Sequence, residues 1–140
     1  MDDRIERLAR GWLGTPYVHQ ASMRGSGADC LGLIRGVWRD LHGIEPEVPP
    51  PYTADWAECG GVEVLMAAAM RHLRPVPQGA AWAGGQVLLF RMRPGAVAKH
   101  LGILTEGGLR FVHAYDAHGV IESPLTPPWR SRVVARFRFP

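Results

Sequence analysis

Hydrophobic positions in the first part of the chain follow the three- and four-residue spacing of an amphipathic helix. Ile5, Leu8 and Trp12 predict a short first helix, which an N-terminal aspartate can cap and which Gly14 ends. Residues 14–29 (GTPYVHQASMRGSGAD) contain three glycines and no hydrophobic period. This stretch is therefore predicted to be an exposed loop that leads into a rigid element.

A second helical stripe follows the loop. Hydrophobic residues between positions 31 and 41 predict a central helix that begins at Cys30 and ends at Gly43, where a C-terminal cap belongs. Residues 44–61 carry four prolines, which predict an extended connection. Helical spacing then returns, and we expect a further helix over Val62–Leu73.

The pattern changes after Gly85 to short runs of β-branched, aromatic and leucine residues, most of them bounded by glycine or proline. Five strands are predicted, namely Val87–Phe90, Leu101–Thr105, Leu109–Tyr115, Val120–Glu122 and Val133–Phe139. Helices first and an antiparallel meander second indicate an α+β fold in which the helices pack on one face of the sheet.

Composition agrees with one globular domain over residues 1–140. Hydrophobic residues make up 46% and charged residues 21% of the chain, which excludes an intrinsically disordered or fibrous protein. A domain of this size buries enough surface to fold without disulfides or structural metals. The 17 glycines and 12 prolines predict many turns and irregular connections.

The charge pattern excludes several classes of partner. The net charge of +3 comes from arginines scattered along the chain, which is too weak a signal for nucleic-acid binding. Arg136 and Arg138 alternate with apolar neighbours and are predicted to line a solvated strand face. No apolar run is long enough for membrane insertion, and the acidic, amphipathic start MDDRIERLAR is unlike a signal peptide. We therefore expect synthesis in the cytoplasm, where Cys30 and Cys59 remain thiols.

Cys30 is the first candidate for chemistry. It follows a glycine-containing loop and opens the central helix, whose unpaired N–H groups and dipole favour a thiolate. Helical spacing places it in line with Ile34, Val37 and Leu41, so its sulfur is predicted to face the body of the domain. The competing interpretation is a small buried hydrophobe, which is the commoner role of a cysteine.

Two histidines flank a predicted hairpin and could serve this cysteine. If Glu106-Gly107 is the turn, Thr105 pairs with residue 108 and His100 stands directly opposite His113. If the turn is one residue later, at 107–108, the two histidines are diagonal but still share a face.

The face that carries His113 also carries Leu109, Phe111 and Tyr115, so we expect it to point inward, towards the helix that carries Cys30. Three interpretations fit the residues up to this point. The histidines are satisfied core residues, or part of a zinc site that includes Cys30, or a base and its orienting partner in a cysteine peptidase. A zinc site lacks a recognisable further ligand pair such as C-x-x-C or H-E-x-x-H.

Four short sequences, in this order, resemble the NlpC family of bacterial cell-wall peptidases. They are GTPYV at 14–18, ADCLGLI at 28–34, KHLGI at 99–103 and RFVHA at 110–114, and together they span most of the chain. The resemblance implies the papain-like NlpC fold. It is strongest to the short version found among phage tail and gene-transfer-agent proteins.

The resemblance also implies a role for each matching residue. Cys30 would be the nucleophile, His100 the general base and His113 the residue that orients the ring of His100. The main-chain N–H of Cys30 and the hydroxyl of Tyr17 would stabilise the oxyanion. Asp29 would hold a free amine of the substrate, although capping of the central helix explains it equally well.

The implied activity is hydrolysis of peptidoglycan stem peptides through a thioester, at the bond between γ-D-glutamate and the diamino acid. The implied setting is the tail or baseplate of a phage-like particle acting at the cell wall, with tail hub or baseplate proteins as partners. No cofactor or metal ion is expected. An alternative is a structural tail or baseplate protein that keeps the fold without turnover, and a zinc-dependent hydrolase is a third hypothesis.

Overall fold

A six-stranded antiparallel sheet organises the chain in the computed structural model, which describes residues 3–49 and 63–140. The helices are α1 (Asp3–Arg10), α2 (Cys30–His42), α3 (Val64–His72) and α4 (Pro127–Arg130). The strands are β1 (Ser22–Met23), β2 (Gly27–Ala28), β3 (Arg74–Pro75), β4 (Val87–Phe90), β5 (His100–Thr105), β6 (Arg110–Tyr115), β7 (Gly119–Pro124) and β8 (Val133–Arg138). The order in the sheet is β3-β8-β4-β5-β6-β7, and β1 pairs with β2 in a separate two-stranded sheet.

The predicted α+β class is confirmed, and so are most of its elements. The first and central helices form as expected, and Gly43 caps α2 with a positive φ of 84° and an N–H bonded to the carbonyl oxygen of Arg39. The third helix begins at Val64; Val62 lies outside the described residues. The predicted connection is without a helix or strand over residues 44–49, and its remainder lies outside the described residues.

Residues 14–29 are less irregular than predicted. Ser22 pairs with Ala28 and Met23 with Gly27, which makes a short hairpin directly before α2. Gly27 allows the close packing here, because a Cβ at this position would lie 2.7 Å from the side chain of Val18. Strand β3 and helix α4 were also missed, since two-residue strands and four-residue helices leave almost no periodic signal.

One face of the sheet packs against α1 and α2 and forms the larger core. It consists of aliphatic side chains that alternate along the strands, among them Leu89, Leu101 and Ile103. Trp12 lies between the two helices, and a Cβ on Gly36 would stand only 2.0 Å from its ring. This arrangement confirms the prediction that helices cover one face.

The opposite face is also buried, which the sequence pattern did not predict. Leu88, Phe90, Leu104 and Phe111 form a second cluster, and partly buried residues that include Trp82 and Trp129 pack against it. The prediction that Arg136 is solvated is wrong, because its guanidinium lies below the ring of Trp82 and is only 6% exposed. It donates hydrogen bonds to the main-chain oxygens of Pro77, Gln78, Ala80 and Ala81. Arg136 thus ties a loop over this face.

Candidate active site

Asp29 and Cys30 lie at the start of α2, directly after the hairpin that β1 and β2 form. Oδ1 of Asp29 accepts a 2.7 Å hydrogen bond from the N–H of Gly32, and Oδ2 accepts one of 2.8 Å from the N–H of Gln20. Glycine is required at position 32, since a Cβ there would lie 1.8 Å from the carbonyl oxygen of Ala21. The predicted helix cap is therefore observed, and it fixes Cys30 as the first residue of α2.

Tyr17 is held beside this helix start by pairing of the preceding loop with β2. Ala28 donates its N–H to the carbonyl oxygen of Pro16 and accepts from the N–H of Val18. Burial raises the pKa of Tyr17 to about 12, with smaller contributions from the nearby groups of Cys30, Asp29 and Asp116. The phenol is thus a hydroxyl donor throughout the neutral range.

The sulfur of Cys30 lies against the first residues of β5. Sγ is 3.5 Å from the carbonyl oxygen of Lys99, to which its S–H donates. Burial raises the pKa of the thiol to about 12, and the carboxylate of Asp29 acts in the same direction. The main-chain N–H groups of Leu101, Leu31 and Cys30 oppose this effect but do not overcome it. The expected helix-end activation is present as N–H donors, yet the resting group is a neutral thiol.

The two histidines are diagonal on the sheet, so the second of the two predicted registers is the correct one. Thr105 pairs with Arg110 and Ile103 with Val112, and the direct pairing of His100 with His113 is wrong. The physical reason is the length of the connection between β5 and β6. Glu106, Gly107 and Gly108 all have positive φ and form a short 3-10 turn, which adds residues that a two-residue turn would not contain.

A hydrogen bond joins the imidazoles. Nε2 of His100 lies 2.8 Å from Nδ1 of His113, and Nε2 of His113 lies 2.9 Å from Oγ of Ser123. Burial lowers the pKa of His100 to about 3 and that of His113 to about 4. A neighbouring histidine adds to each shift, namely His113 for His100 and His118 for His113. Both rings are therefore neutral at neutral pH, and each has one nitrogen with a lone pair.

The prediction that this face points towards α2 is wrong. His100, His113 and Tyr115 alternate with the residues of the helix-facing core, so they lie on the opposite face. The rings of His100 and His113 pack against Trp129, with centroids 5.9 and 5.2 Å away. Leu109, expected on the same inward face, is instead 72% exposed in the connection that precedes β6.

The thiol lies at the start of β5, beside the main chain of the two residues that flank His100. The sulfur contacts the main chain on both sides of His100, at Lys99 and Leu101. Its hydrogen bond goes to Lys99 and not to the ring. Within the described ranges, 3–49 and 63–140, no hydrogen-bond partner occupies Nδ1 of His100. Of the two nitrogens of the ring, Nε2 is thus bonded to His113 and Nδ1 keeps no hydrogen bond to the described residues.

A polar pocket lies beside Tyr17. It has a volume of about 360 Å³ and is lined by residues 14–17 and 116–119, so Tyr17 forms part of its wall. Asp29, by contrast, is only 3% exposed and both of its carboxylate oxygens bind main-chain N–H groups. Oδ2 of Asp29 also lies 3.9 Å from Nδ1 of His19.

In the part of the chain that the structure describes, no group of three or more histidine, cysteine or acidic residues is arranged to hold a metal ion. None of the helices in that part has the length and apolar character needed to cross a membrane.

Ser123 and Trp129 are the residues whose place at the site the sequence did not reveal. Ser123 has no motif around it, and only the register of β7 on β6, in which it pairs with Phe111, places it on the histidine face. Trp129 was expected at most to frame a groove. Its signal was the Pro-Pro sequence at 127–128, which starts a short helix.

Comparison with protein families gives a match to the NlpC/P60 family model over residues 14–138. A search among curated proteins gives no match.

Comparison with solved structures gives the same family name three times. A protein from Staphylococcus aureus, described as similar to a lipoprotein of the NLP/P60 family, is 25% identical with a TM-score of 0.62 and is matched over 99% of this chain and 42% of that one. The NlpC/p60 domain of the peptidoglycan hydrolase SagA is 24% identical with a TM-score of 0.60, over 98% and 97% of the two chains. A family protein from Bacillus cereus is 20% identical with a TM-score of 0.67, over 98% and 39%. The chain thus spans less than half of two of these proteins and nearly all of the SagA domain.

Proposed function

Because the chain belongs to the NlpC/P60 family, we propose that it is a cysteine endopeptidase that hydrolyses the stem peptides of peptidoglycan. The observation that carries this proposal is the position of a thiol beside the main chain of a buried histidine at the start of β5. Sγ of Cys30 contacts the main chain on both sides of His100, whose Nε2 is bonded to His113. The peptidoglycan hydrolase SagA, whose domain has a similar fold, supports the choice of substrate.

In the proposed acylation step, the S–H of Cys30 turns from the Lys99 carbonyl towards Nδ1 of His100 and transfers its proton there. Sγ attacks the carbonyl carbon of the scissile amide and forms a tetrahedral intermediate. The C–N bond then breaks, and Nδ1 returns the proton to the leaving amine. This leaves a thioester on Cys30.

Deacylation reverses the proton path. Water attacks the thioester carbon while Nδ1 of His100 takes its proton, and the same proton then passes to the departing sulfur. Since burial keeps the resting pair neutral, the thiolate forms only as the proton moves to the imidazole. Substrate that fills the pocket and excludes water strengthens the N–H donors around the sulfur and favours this transfer.

Charge on the oxyanion would be met by the main-chain N–H of Cys30 and the hydroxyl of Tyr17. Both belong to the region where β2 meets α2, and the raised pKa of Tyr17 keeps its hydroxyl protonated. One donor of this kind is typically worth about 3 kcal/mol to the transition state.

The bond between γ-D-glutamate and the diamino acid is the proposed cleavage point, from the resemblance of the Cys30 and His100 motifs to the family. In this proposal Asp29 binds a free amine on the stem peptide, in addition to capping α2.

The proposed setting is a tail or baseplate of a phage-like particle, with tail hub or baseplate proteins as partners. This part rests on the resemblance to short tail-associated members alone. Mass spectrometry of purified particles tests it, and absence of the chain from them would remove the setting without affecting the proposed hydrolysis.

Digestion of purified peptidoglycan tests the activity. Wild-type protein is expected to release stem-peptide fragments whose masses identify the cleaved bond. Cys30→Ala is expected to reduce the rate by several orders of magnitude, because binding and oxyanion contacts alone remain. The matched control is Cys59→Ala, which removes the other thiol of the chain.

Two results would contradict the proposal. Hydrolysis that survives Cys30→Ala would exclude Cys30 as the nucleophile. Wild-type protein that binds a tail protein but neither cleaves peptidoglycan nor reacts with a thiol probe would favour the structural alternative.

A further inference from the structure

A row of three polar side chains crosses one face of the sheet, from β5 through β6 to β7. Nε2 of His100 lies 2.8 Å from Nδ1 of His113, and Nε2 of His113 lies 2.9 Å from Oγ of Ser123. Ser123 pairs with Phe111 across the β6–β7 ladder, and it is therefore diagonal to His113 on the same face. Ser123 therefore lies on β7, which is an edge strand of the sheet.

The proposed chemistry fixes the direction of each hydrogen bond. His100 can accept a proton at Nδ1 only if its own proton is on Nε2, and Nε2 then donates to Nδ1 of His113. A neutral imidazole that accepts at Nδ1 carries its proton on Nε2. The Nε2–H group of His113 then donates a hydrogen bond to Oγ of Ser123.

We propose that Ser123 is a positioning residue that selects the tautomer of His113 and, through it, the tautomer of His100. This inference rests on the proposed endopeptidase function, since it assigns the hydroxyl a part in that reaction. It adds a fourth residue to the Cys30, His100 and His113 set.

The surroundings of His113 leave the ring few other ways to satisfy its nitrogens. The residue has no exposed surface, and its neighbours are the rings of Phe111 at 4.2 Å and Trp129 at 5.2 Å between centroids. A buried N–H without a partner is costly, so removal of the hydroxyl favours movement of the proton to Nδ1. Two N–H groups would then meet at the 2.8 Å contact with His100.

The tautomer of His113 in turn decides whether His100 can accept the proton of Cys30. To relieve that contact, His100 must carry its proton on Nδ1, where it would face Cys30 with an N–H in place of a lone pair. Such a ring cannot accept the thiol's proton. Ser123 therefore acts on the rate of the chemical step and not on substrate binding.

Kinetics of three variants test this. Ser123→Ala is expected to lower kcat by about ten- to a hundredfold with little change in KM, by analogy with the loss seen when hydrogen-bonded partners of metal-binding histidines are removed. Ser123→Thr keeps the hydroxyl on a strand position that favours a β-branched residue, and it is expected to stay within about threefold of wild type. Ser131→Ala is the matched control, because that exposed hydroxyl donates only to the carbonyl oxygen of Pro128.

A second measurement needs no substrate and no activity. Nitrogen-15 NMR of the imidazoles is expected to show the proton of His113 on Nε2 in wild type and in Ser123→Thr, and a shift towards Nδ1 in Ser123→Ala. Wild-type protein with the proton on Nδ1 of His113 would overturn the inference, and so would a Ser123→Ala variant with unchanged kcat and tautomer.

The two measurements separate this inference from the proposed function. If wild-type protein carries the Nε2 proton but does not cleave peptidoglycan, the assigned tautomer stands and the endopeptidase proposal fails. If Ser123→Ala does not fold, the wild-type tautomer still decides the question.

Discussion

The two faces of the sheet are both buried, but they consist of different kinds of side chain. The face against α1 and α2 consists of aliphatic side chains such as Leu101 and Ile103, which need no partner other than one another. The opposite face combines aromatic rings with His100 and His113, which are hydrogen-bonded in a row, and Trp129 packs over them. Strands β4, β5 and β6 contribute to both.

The difference shows how a small domain can support chemistry on the same strands that stabilise it. Successive residues of a strand point to opposite faces, so the helix-facing core can hold β5 in place while its other side carries polar groups. The aromatic cover excludes water from the imidazoles and lowers their pKa, which keeps them neutral. Substitutions on the two faces should therefore have separable effects.

The largest effect is expected on activity, from His100→Gln. The glutamine amide can still donate to Nδ1 of His113, but it cannot take the proton of Cys30, so we expect cleavage of stem peptides to slow by at least about 10³-fold. The free energy of unfolding should change by less than about 2 kcal/mol, as measured by urea denaturation. A variant with near-wild-type turnover would exclude His100 as the base.

Ile103→Ala is the counterpart on the other face of the same strand. Ile103 is fully buried in the helix-facing core, and its truncation is expected to lower the free energy of unfolding by about 2–5 kcal/mol. Urea denaturation measures this loss, and kcat of the folded variant at low temperature should remain close to wild type. A large fall in kcat with unchanged stability would contradict the separation of the faces.

The start of the site could be predicted from sequence because its signals are local. Asp29, Cys30 and the stripe that follows define a capped helix, and the structure places the cap as expected. The helix-facing core followed from the same periodicity. Local signals also restricted His100 and His113 to one face, whichever of the two turns formed.

The rest depended on information that a local pattern lacks. The run Val87–Phe90 is hydrophobic throughout, which is typical of a strand buried on both faces, but it does not show what covers the second face. The register of β5 on β6 was set by three consecutive residues with positive φ, one of them Glu106, where such a conformation is uncommon. Arg136 is buried because a distant loop supplies carbonyl acceptors, and Ser123 reaches His113 only through strand pairing.

The smallest expected effect is on the pH dependence of the free energy of unfolding, to which the histidine face contributes. The lowered pKa values of His100 and His113, about 3 and 4 against an ordinary 6.5, mean that the unfolded chain binds protons first as the pH falls. Stability is therefore complete above pH 6.5 and is lost as the pH decreases through 6 and 5. The carboxyls of Glu45 and Glu122, whose pKa values are lowered from 4.5, contribute their own loss only at more acid pH.

His113→Gln isolates this contribution. It should reduce the acid loss of unfolding free energy by roughly 1 kcal/mol per pH unit between pH 6.5 and 5, since one pKa unit corresponds to about 1.4 kcal/mol. Urea denaturation at several pH values measures the slope, with His42→Gln on the exposed end of α2 as the matched control. Parallel slopes for wild type and His113→Gln would mean that the histidine face is open to protons in the folded state. The histidine face would then not be dry like the helix-facing core, because water would have access to it.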